Sequence, residues 1–392
     1  MRLRAGFLLL GLVAIADASP RRDPVPAAKL DDTCLDASCK RHALDHFTEA
    51  LAQQKTGKAE RPLRISYFGD SLTADDHIPQ ALRDKLGELV GAGGPGFVWA
   101  AEPHPYCHHN GVLRVASGTW QVNGISTIGT PDRLLGLGGS AEGSGTIKLV
   151  PTTPITTVDV HYLEQPHGGS FAIVADGQVI QDVETAGEKK KAAFSRVELP
   201  AASRKLELRA RGKVRLFGAS LEAAKGIVVD NLGVVNATAK ALLRHDMPEH
   251  LRNQLAHRGS DLVIVMLGTN EAEWLAPKGQ SMVEHEQVFH ELLQSIRGAN
   301  PHSSCLVISP LDQLDWHDPK LPPRDAIPAM VEAQHRAATA EGCAFWDTYD
   351  WMGGRGASRT WFQRGWVVKD FQHPTTQGAA RIAEALFAGL VR

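Results

Sequence analysis

Ile65-Ser66-Tyr67-Phe68-Gly69-Asp70-Ser71-Leu72-Thr73 is the stretch that decides how this chain is read. Ile65 to Phe68 supply β-branched and aromatic residues suited to a buried strand. Gly69 permits a sharp turn, because it has no Cβ to obstruct one. Asp76 to Val90 then carries a helical apolar pattern, so Ser71 falls between a strand end and a helix start, where α/β enzymes keep their chemistry. A serine hydroxyl is a poor nucleophile until a base removes its proton. The far end of the chain supplies a base and a carboxylate together, in Asp370-Phe371-Gln372-His373.

Outward from that stretch, the same rhythm recurs. Ile227 to Val229, Asp261 to Leu267, Cys305 to Ser309 and Ala344 to Trp346 read as strands, the second apolar on both faces as a buried parallel strand requires. Asp45 to Gln54, Ala237 to Ala256, Ser281 to Ala299, Asp325 to Glu341 and Thr375 to Leu390 read as helices. Alternation of this kind predicts a doubly wound parallel sheet with helices on both faces. Between Gly118 and Ala223 the character changes: Gly and Thr rise and short alternating runs appear, such as Ser170 to Val174 and Lys205 to Arg209. Asp176-Gly177 between two such runs is a hairpin signal. Short strands at even spacing predict an all-β sandwich inserted into the α/β unit. The divisions are 1–18, 19–62 as lead-in and first helix, 63–117 and 226–392 as the two parts of the α/β unit, and 118–225 as the insert.

The bounds are ordinary. In 392 residues, 43% are hydrophobic and 22% charged, with a formal net charge of −2, so neither nucleic-acid binding nor a basic membrane face is expected. Met1 to Ala18 reads as a secretory signal: Arg2 and Arg4, then an apolar run, then Ala16-Asp17-Ala18. Export permits disulfides. Cys34 with Cys39, and Cys305 with Cys343 on neighbouring strands, are possible pairs that would leave Cys107 odd; five free thiols are the alternative. His104-Pro105-Tyr106-Cys107-His108-His109 superficially resembles a zinc site, but its two prolines and lack of further spaced ligands predict a surface loop.

The chemistry-bearing residues fall at strand ends. Gly-x-Ser-x-Gly, the usual nucleophile elbow, is absent. Of 17 histidines, only His373 has an aspartate three residues before it. His373 would take the proton of Ser71, and Asp370 would orient the ring and stabilise its charged form. Asn270, directly after the strand Asp261 to Leu267, can donate to an oxyanion, and the Gly233 N–H in Asp230-Asn231-Leu232-Gly233 is a second candidate donor.

The order Gly69-Asp70-Ser71-Leu72, Gly233, Gly268-x-Asn270, Asp370-x-x-His373 resembles that of the SGNH (GDSL) hydrolases, over residues 40–117 and 226–392. The resemblance implies a flavodoxin-like three-layer α/β/α sandwich, a Ser71–His373–Asp370 triad, an oxyanion hole of Ser71 N–H, Gly233 N–H and Asn270, and neither metal nor cofactor. Within that superfamily the chain is most similar to bacterial peptidoglycan O-acetylesterases. Those carry an inserted β-sandwich similar to a carbohydrate-binding module. The matching residues are Phe68-Gly69-Asp70-Ser71-x-Thr73-Ala74, Tyr162 to Phe171 and Val214 to Glu222. Two positions differ, Glu271 where Asp is usual and Leu72 where His is frequent.

The expectation is a periplasmic or extracellular carbohydrate O-acetylesterase acting on an acetylated polysaccharide, peptidoglycan foremost. The alternatives are a lipase or arylesterase, an O-acetyltransferase, or an inert polysaccharide binder. Trp99, Trp120, Trp274, Trp316, Trp361 and Trp366 are candidates for sugar stacking, Trp361 and Trp366 above the others.

Overall fold

The computed structural model describes residues 24–127, 129–130, 132–244, 249–275 (without the Trp274 side chain) and 281–392. The signal read at Met1 to Ala18 lies outside the described residues. In chain order the elements are β1 (Leu30–Asp31), α1 (Asp45–Lys55), β2 (Leu63–Gly69), α2 (Ser71–Ala74), α3 (His77–Val90), β3 (Gly96–Trp99), β4 (Val112–Gly124) and β5 (Gly139–Pro151). There follow β6 (Ile155–Glu164), β7 (Ser170–Ala175), β8 (Gln178–Glu184), β9 (Lys191–Ser203), β10 (Leu206–Glu222) and β11 (Ile227–Gly233). The remainder comprises α4 (Ala239–Leu243), α5 (Glu249–Arg258), β12 (Leu262–Met266), α6 (Thr269–Leu275), α7 (Met282–Ala299) and β13 (Ser304–Ile308). The chain ends with α8 (Ala326–Ala340), β14 (Ala344–Trp346), α9 (Thr348–Trp351), α10 (Ala357–Gln363) and α11 (Thr376–Leu390).

A six-stranded sheet runs in the order β1-β14-β13-β12-β2-β11, parallel throughout except for β1. Strand alternation explains its two covered faces. Leu63, Ile65 and Tyr67 of β2, with Leu262, Ile264 and Met266 of β12, join one core with Phe47 of α1, Leu82 of α3 and Leu386 of α11. The residues between them, Phe68, Val263 and Val265, join the other core with Leu255 of α5, Phe289 of α7 and Met330 of α8. The result is the three-layer α/β arrangement. The chain order reverses between β2 and β12, where ligands of open α/β sheets bind, outside the carboxyl ends of the strands.

The remaining strands form one antiparallel network of eight, not two separately bonded sheets. β10 organises it: its first half pairs with β5 and β7, its second with β6 and β3. Register shifts at Ala210/Val214 and Leu216/Gly218 let the strand change partners midway. A third core, including Ile147, Val160, Phe171 and Leu208, lies against this sheet. The sheet takes in residues before 118, because β3 pairs with β10 and β4 pairs with β5 from Val112 onward.

A buried ionic network joins the two sheets. Glu222, the last residue of β10, binds Arg64 of β2 and Arg258 of α5, and Arg258 also binds Asp230 of β11 at 2.7 and 2.9 Å. Asp230 in turn accepts from the Phe97 N–H of β3 at 2.7 Å.

The helix expected over Ala237 to Ala256 is two, α4 and α5. Pro248 lies between them in the sequence. Disulfides join Cys34 to Cys39 and Cys305 to Cys343, and Cys107 is free and buried.

Candidate active site

Ser71 is the first residue of α2, one residue beyond β2, so its N–H has no intrahelical acceptor. Asp70 caps this short helix by accepting the Leu72 N–H at 3.0 Å. Two glycines allow the turn to pack closely. A Cβ on Gly69 would fall on the Thr73 side chain, and one on Gly233 would lie 2.6 Å from the Ala74 nitrogen.

The structure brings Ser71, His373 and Asp370 into one hydrogen-bonded chain. His373 Nε2 lies 2.8 Å from Ser71 Oγ, and Asp370 Oδ2 lies 2.9 Å from His373 Nδ1. The second carboxylate oxygen of Asp370 accepts the backbone N–H groups of Gln372 and His373, which fixes the loop before α11. Burial works against charge on the His373 ring. The hydrogen bond and negative charge of Asp370, with the charges of Asp70 and Asp75, outweigh it and hold the ring above the ordinary histidine value. Burial likewise opposes charge on Asp370, but its bonds to His373 and Gln372 keep it below the usual carboxylate range.

These side chains line an open cleft of about 830 Å³, together with Asn270, Asn236, Val235, Tyr106, Asp75, His77, Glu273 and Val368. Asn270 is buried and spends one amide hydrogen on the Ala237 carbonyl at 2.8 Å, leaving the other.

Gly233 does not line this cleft. Its N–H donates to the Asn231 side-chain oxygen at 3.0 Å, so it is spoken for within its own turn. Three residues on, Asn236 lines the cleft with φ of 61°, a conformation that asparagine tolerates better than other non-glycine residues. No hydrogen-bond acceptor faces its N–H among the described residues. The sequence signal was an asparagine in a short turn directly after a buried strand.

Glu271 accepts the Ala239 N–H at 2.9 Å, and burial pushes its carboxyl up to about 7. Asn270 and Glu271 therefore clamp the segment that presents Asn236. The stretch around Cys107 is a surface loop with Pro105, Tyr106 and His108 exposed, from which Cys107 turns inward, His109 Nε2 lies 3.1 Å from the Pro95 carbonyl, and His108 donates its N–H to the Ala74 carbonyl. Burial lowers His109 to about 4. Only Tyr106 of that stretch reaches the cleft.

The tryptophans expected to stack on sugar are mostly packing groups. Trp99 and Trp361 are buried, and Trp361 donates Nε1–H to the Met352 carbonyl. Trp366 packs edge-on against Trp361 beneath the Arg381 guanidinium. Trp316 is half exposed and none of these lines the cleft, while the Trp274 side chain lies outside the described residues.

Comparison with known proteins agrees with the geometry. Residues 202–381 match the model of the GDSL-like lipase/acylhydrolase family, a span holding Gly233, Asn270, Asp370 and His373 but not Ser71. The hydrogen-bonded Ser71–His373–Asp370 chain and this match together indicate a serine ester hydrolase. Among solved structures it is similar to one described as a peptidoglycan O-acetylesterase in action, at 24% identity and a TM-score of 0.74, covering 87% of this chain and 94% of that one. Likeness to a hydrolase from the Lake Arreo metagenome is looser, at 18% identity and a TM-score of 0.32 over 42% of this chain and 74% of that one. An acetylxylan esterase of Geobacillus stearothermophilus stands similarly, at 18% and 0.30 over 41% and 70%. No curated protein matches the chain in sequence.

Proposed function

We propose that the protein is an extracytoplasmic carbohydrate O-acetylesterase that removes acetyl groups from a polysaccharide, peptidoglycan foremost. The observation that carries this reading is the Ser71–His373–Asp370 hydrogen-bonded chain at 2.8 and 2.9 Å, opening on a wide cleft. Ser71 Oγ attacks the acetyl carbonyl carbon while His373 Nε2 takes its proton. The oxyanion is received by the Ser71 N–H, the second Asn270 amide hydrogen and, in place of Gly233, the Asn236 N–H. His373 returns the proton to the departing sugar oxygen, then draws one from water, which cleaves the acetyl-enzyme to acetate.

Several features support the finer parts of this reading. The whole-chain likeness to the peptidoglycan O-acetylesterase structure favours that polymer. Polymer-sized substrates suit a cleft open to solvent. The Met1 to Ala18 signal and the Cys305–Cys343 disulfide suit an exported protein. We take residues 118–225 as an inserted β-sandwich resembling a carbohydrate-binding module, whose apolar core also draws in Val98, Ala100 and Val112 from the preceding segment.

The test is acetate release from natively acetylated peptidoglycan, acetylated hemicellulose and an acetylated exopolysaccharide, by wild type and by Ser71→Ala. The expected result is release from peptidoglycan by wild type alone. Comparable release by both proteins removes the mechanism, and release from another polymer only removes the substrate.

A further inference from the structure

None of the side chains that line the cleft belongs to a second cluster, where α5 meets the antiparallel sheet. Asp159 and His161 stand two residues apart on β6 and so project from the same face of that strand. His257 comes from the last turn of α5. One donor atom from each of the three lies within 4.8 Å of the others.

The hydrogen bonding of the cluster is incomplete in a specific way. His161 is fully buried, yet its Nε2 has no partner. Its Nδ1 lies 2.8 Å from Gln254 Oε1, a carbonyl oxygen that only accepts, so Nδ1 carries the proton and Nε2 keeps a lone pair. Asp159, 7% exposed, uses Oδ2 for His257 Nε2 at 2.8 Å and leaves Oδ1 without a partner. Two acceptors of the cluster are thus buried without a partner, as is the amide nitrogen of Gln254. Buried acceptors of this kind need a proton donor or a cation.

We propose that Asp159, His161 and His257 form a zinc site that clasps α5 to β6. Two imidazoles and a carboxylate are donors that Zn²⁺ accepts, with solvent as a fourth ligand. Donors around a tetrahedral zinc stand roughly 3.3 Å apart, as follows from metal–ligand distances of about 2.0–2.1 Å. That spacing falls between the 2.8 Å contact of Asp159 with His257 and the 4.8 Å limit of the cluster, so small side-chain shifts admit the ion. The surroundings favour it. Gln254 orients the His161 ring as outer partners of metal-bound histidines do. Phe194 stacks flat on His257 at 3.6 Å and meets His161 edge-on, which fixes both rings. The adjacent cation, Arg258, is already neutralised by Asp230 and Glu222. The His257 side chain keeps 28% of its surface exposed, which gives the ion a route from solvent.

The experiment uses the untagged full chain, stripped with chelator and titrated with Zn²⁺, with bound metal counted by elemental analysis and Co²⁺ as a spectroscopic probe. One equivalent of zinc retained at micromolar free metal is expected, with the intense visible bands of four-coordinate Co²⁺. His257→Phe, at a partly exposed position beside Phe194, and Asp159→Asn should each lose that equivalent at least tenfold in affinity, while metal-free acetyl ester hydrolysis by both stays at the wild-type rate and reports an intact fold. Cys34→Ser, which opens the other His/Cys cluster near His42, should keep it. The proposal is overturned if wild type retains no zinc, if His257→Phe binds it as tightly, or if Cys34→Ser abolishes binding.

Discussion

Replacing Asn270 with alanine separates the two tasks assigned to its amide. One hydrogen is held by the Ala237 carbonyl at 2.8 Å, and the other is available to a developing oxyanion in the cleft. Losing one oxyanion donor typically costs about 10²–10³ in kcat, or about 2.7–4 kcal/mol of transition-state stabilisation. Losing the bond to Ala237 costs about 1 kcal/mol of folding stability. In a protein of this size that lowers the melting temperature by only about 1–2 °C. A donor that acts only in the transition state leaves KM nearly unchanged. Initial rates with p-nitrophenyl acetate across a range of concentrations, alongside calorimetry, read both numbers. A loss in kcat below fivefold, or a loss carried by KM, would refute the assignment of the second hydrogen. A fall of 10 °C or more would refute the separation of the two tasks.

Three further outcomes follow from the geometry. Activity depends on neutral His373, whose ring titrates above the ordinary histidine value, so kcat/KM should rise with pH through a limb above pH ~6.5; in Asp370→Asn the limb should move to lower pH as kcat drops by about 10²–10⁴-fold, and an unmoved limb in the pH profile would count against the ion pair. Gly69→Ala should cost at least tenfold in kcat, because the new methyl displaces Thr73 and with it the helix bearing Ser71, a shift of the kind that about 1 Å of misplacement produces; wild-type rates would show that the turn tolerates a Cβ. Arg258→Met should destabilise the fold by about 3–5 kcal/mol in denaturant titrations, since it removes the cation paired with buried Asp230 and leaves Glu222 with Arg64 alone; a loss under 1 kcal/mol would mean that water reaches Asp230.

Much of the fold was legible because the parallel strands are buried on both faces and therefore apolar throughout, as in Leu262-Val263-Ile264-Val265-Met266. The Ser71, His373 and Asp370 positions were legible because each follows a strand end or precedes a helix start, places that a one-dimensional pattern marks well. The oxyanion donor we propose, the Asn236 N–H, was not. Gly233 and Asn236 are both plausible turn residues, and only the fold-back of the Asn231 side chain decides which N–H remains free. Glu271 reads as a minor replacement, yet it is a buried carboxyl that holds the start of α4. The tryptophans were open between sugar stacking and packing for a related reason. An indole's affinity for sugar and for a protein core arises from the same flat apolar surface, and Trp361 found the core first.

The strand β10 begins among the antiparallel strands and ends at Glu222, which lies against Arg64 and Arg258 beneath the parallel sheet. β3, its partner at that end, supplies the amide that steadies Asp230. The antiparallel portion is therefore not a removable cassette: excising it would strip two arginines of a shared counter-ion and take the Phe97 amide from Asp230 in the heart of the hydrolase. Hairpin tips far from this network, such as Asp176-Gly177 between β7 and β8, carry none of its charges. A lineage built this way would explore new substrates by remodelling loops, and would inherit its two sheets as one joined piece.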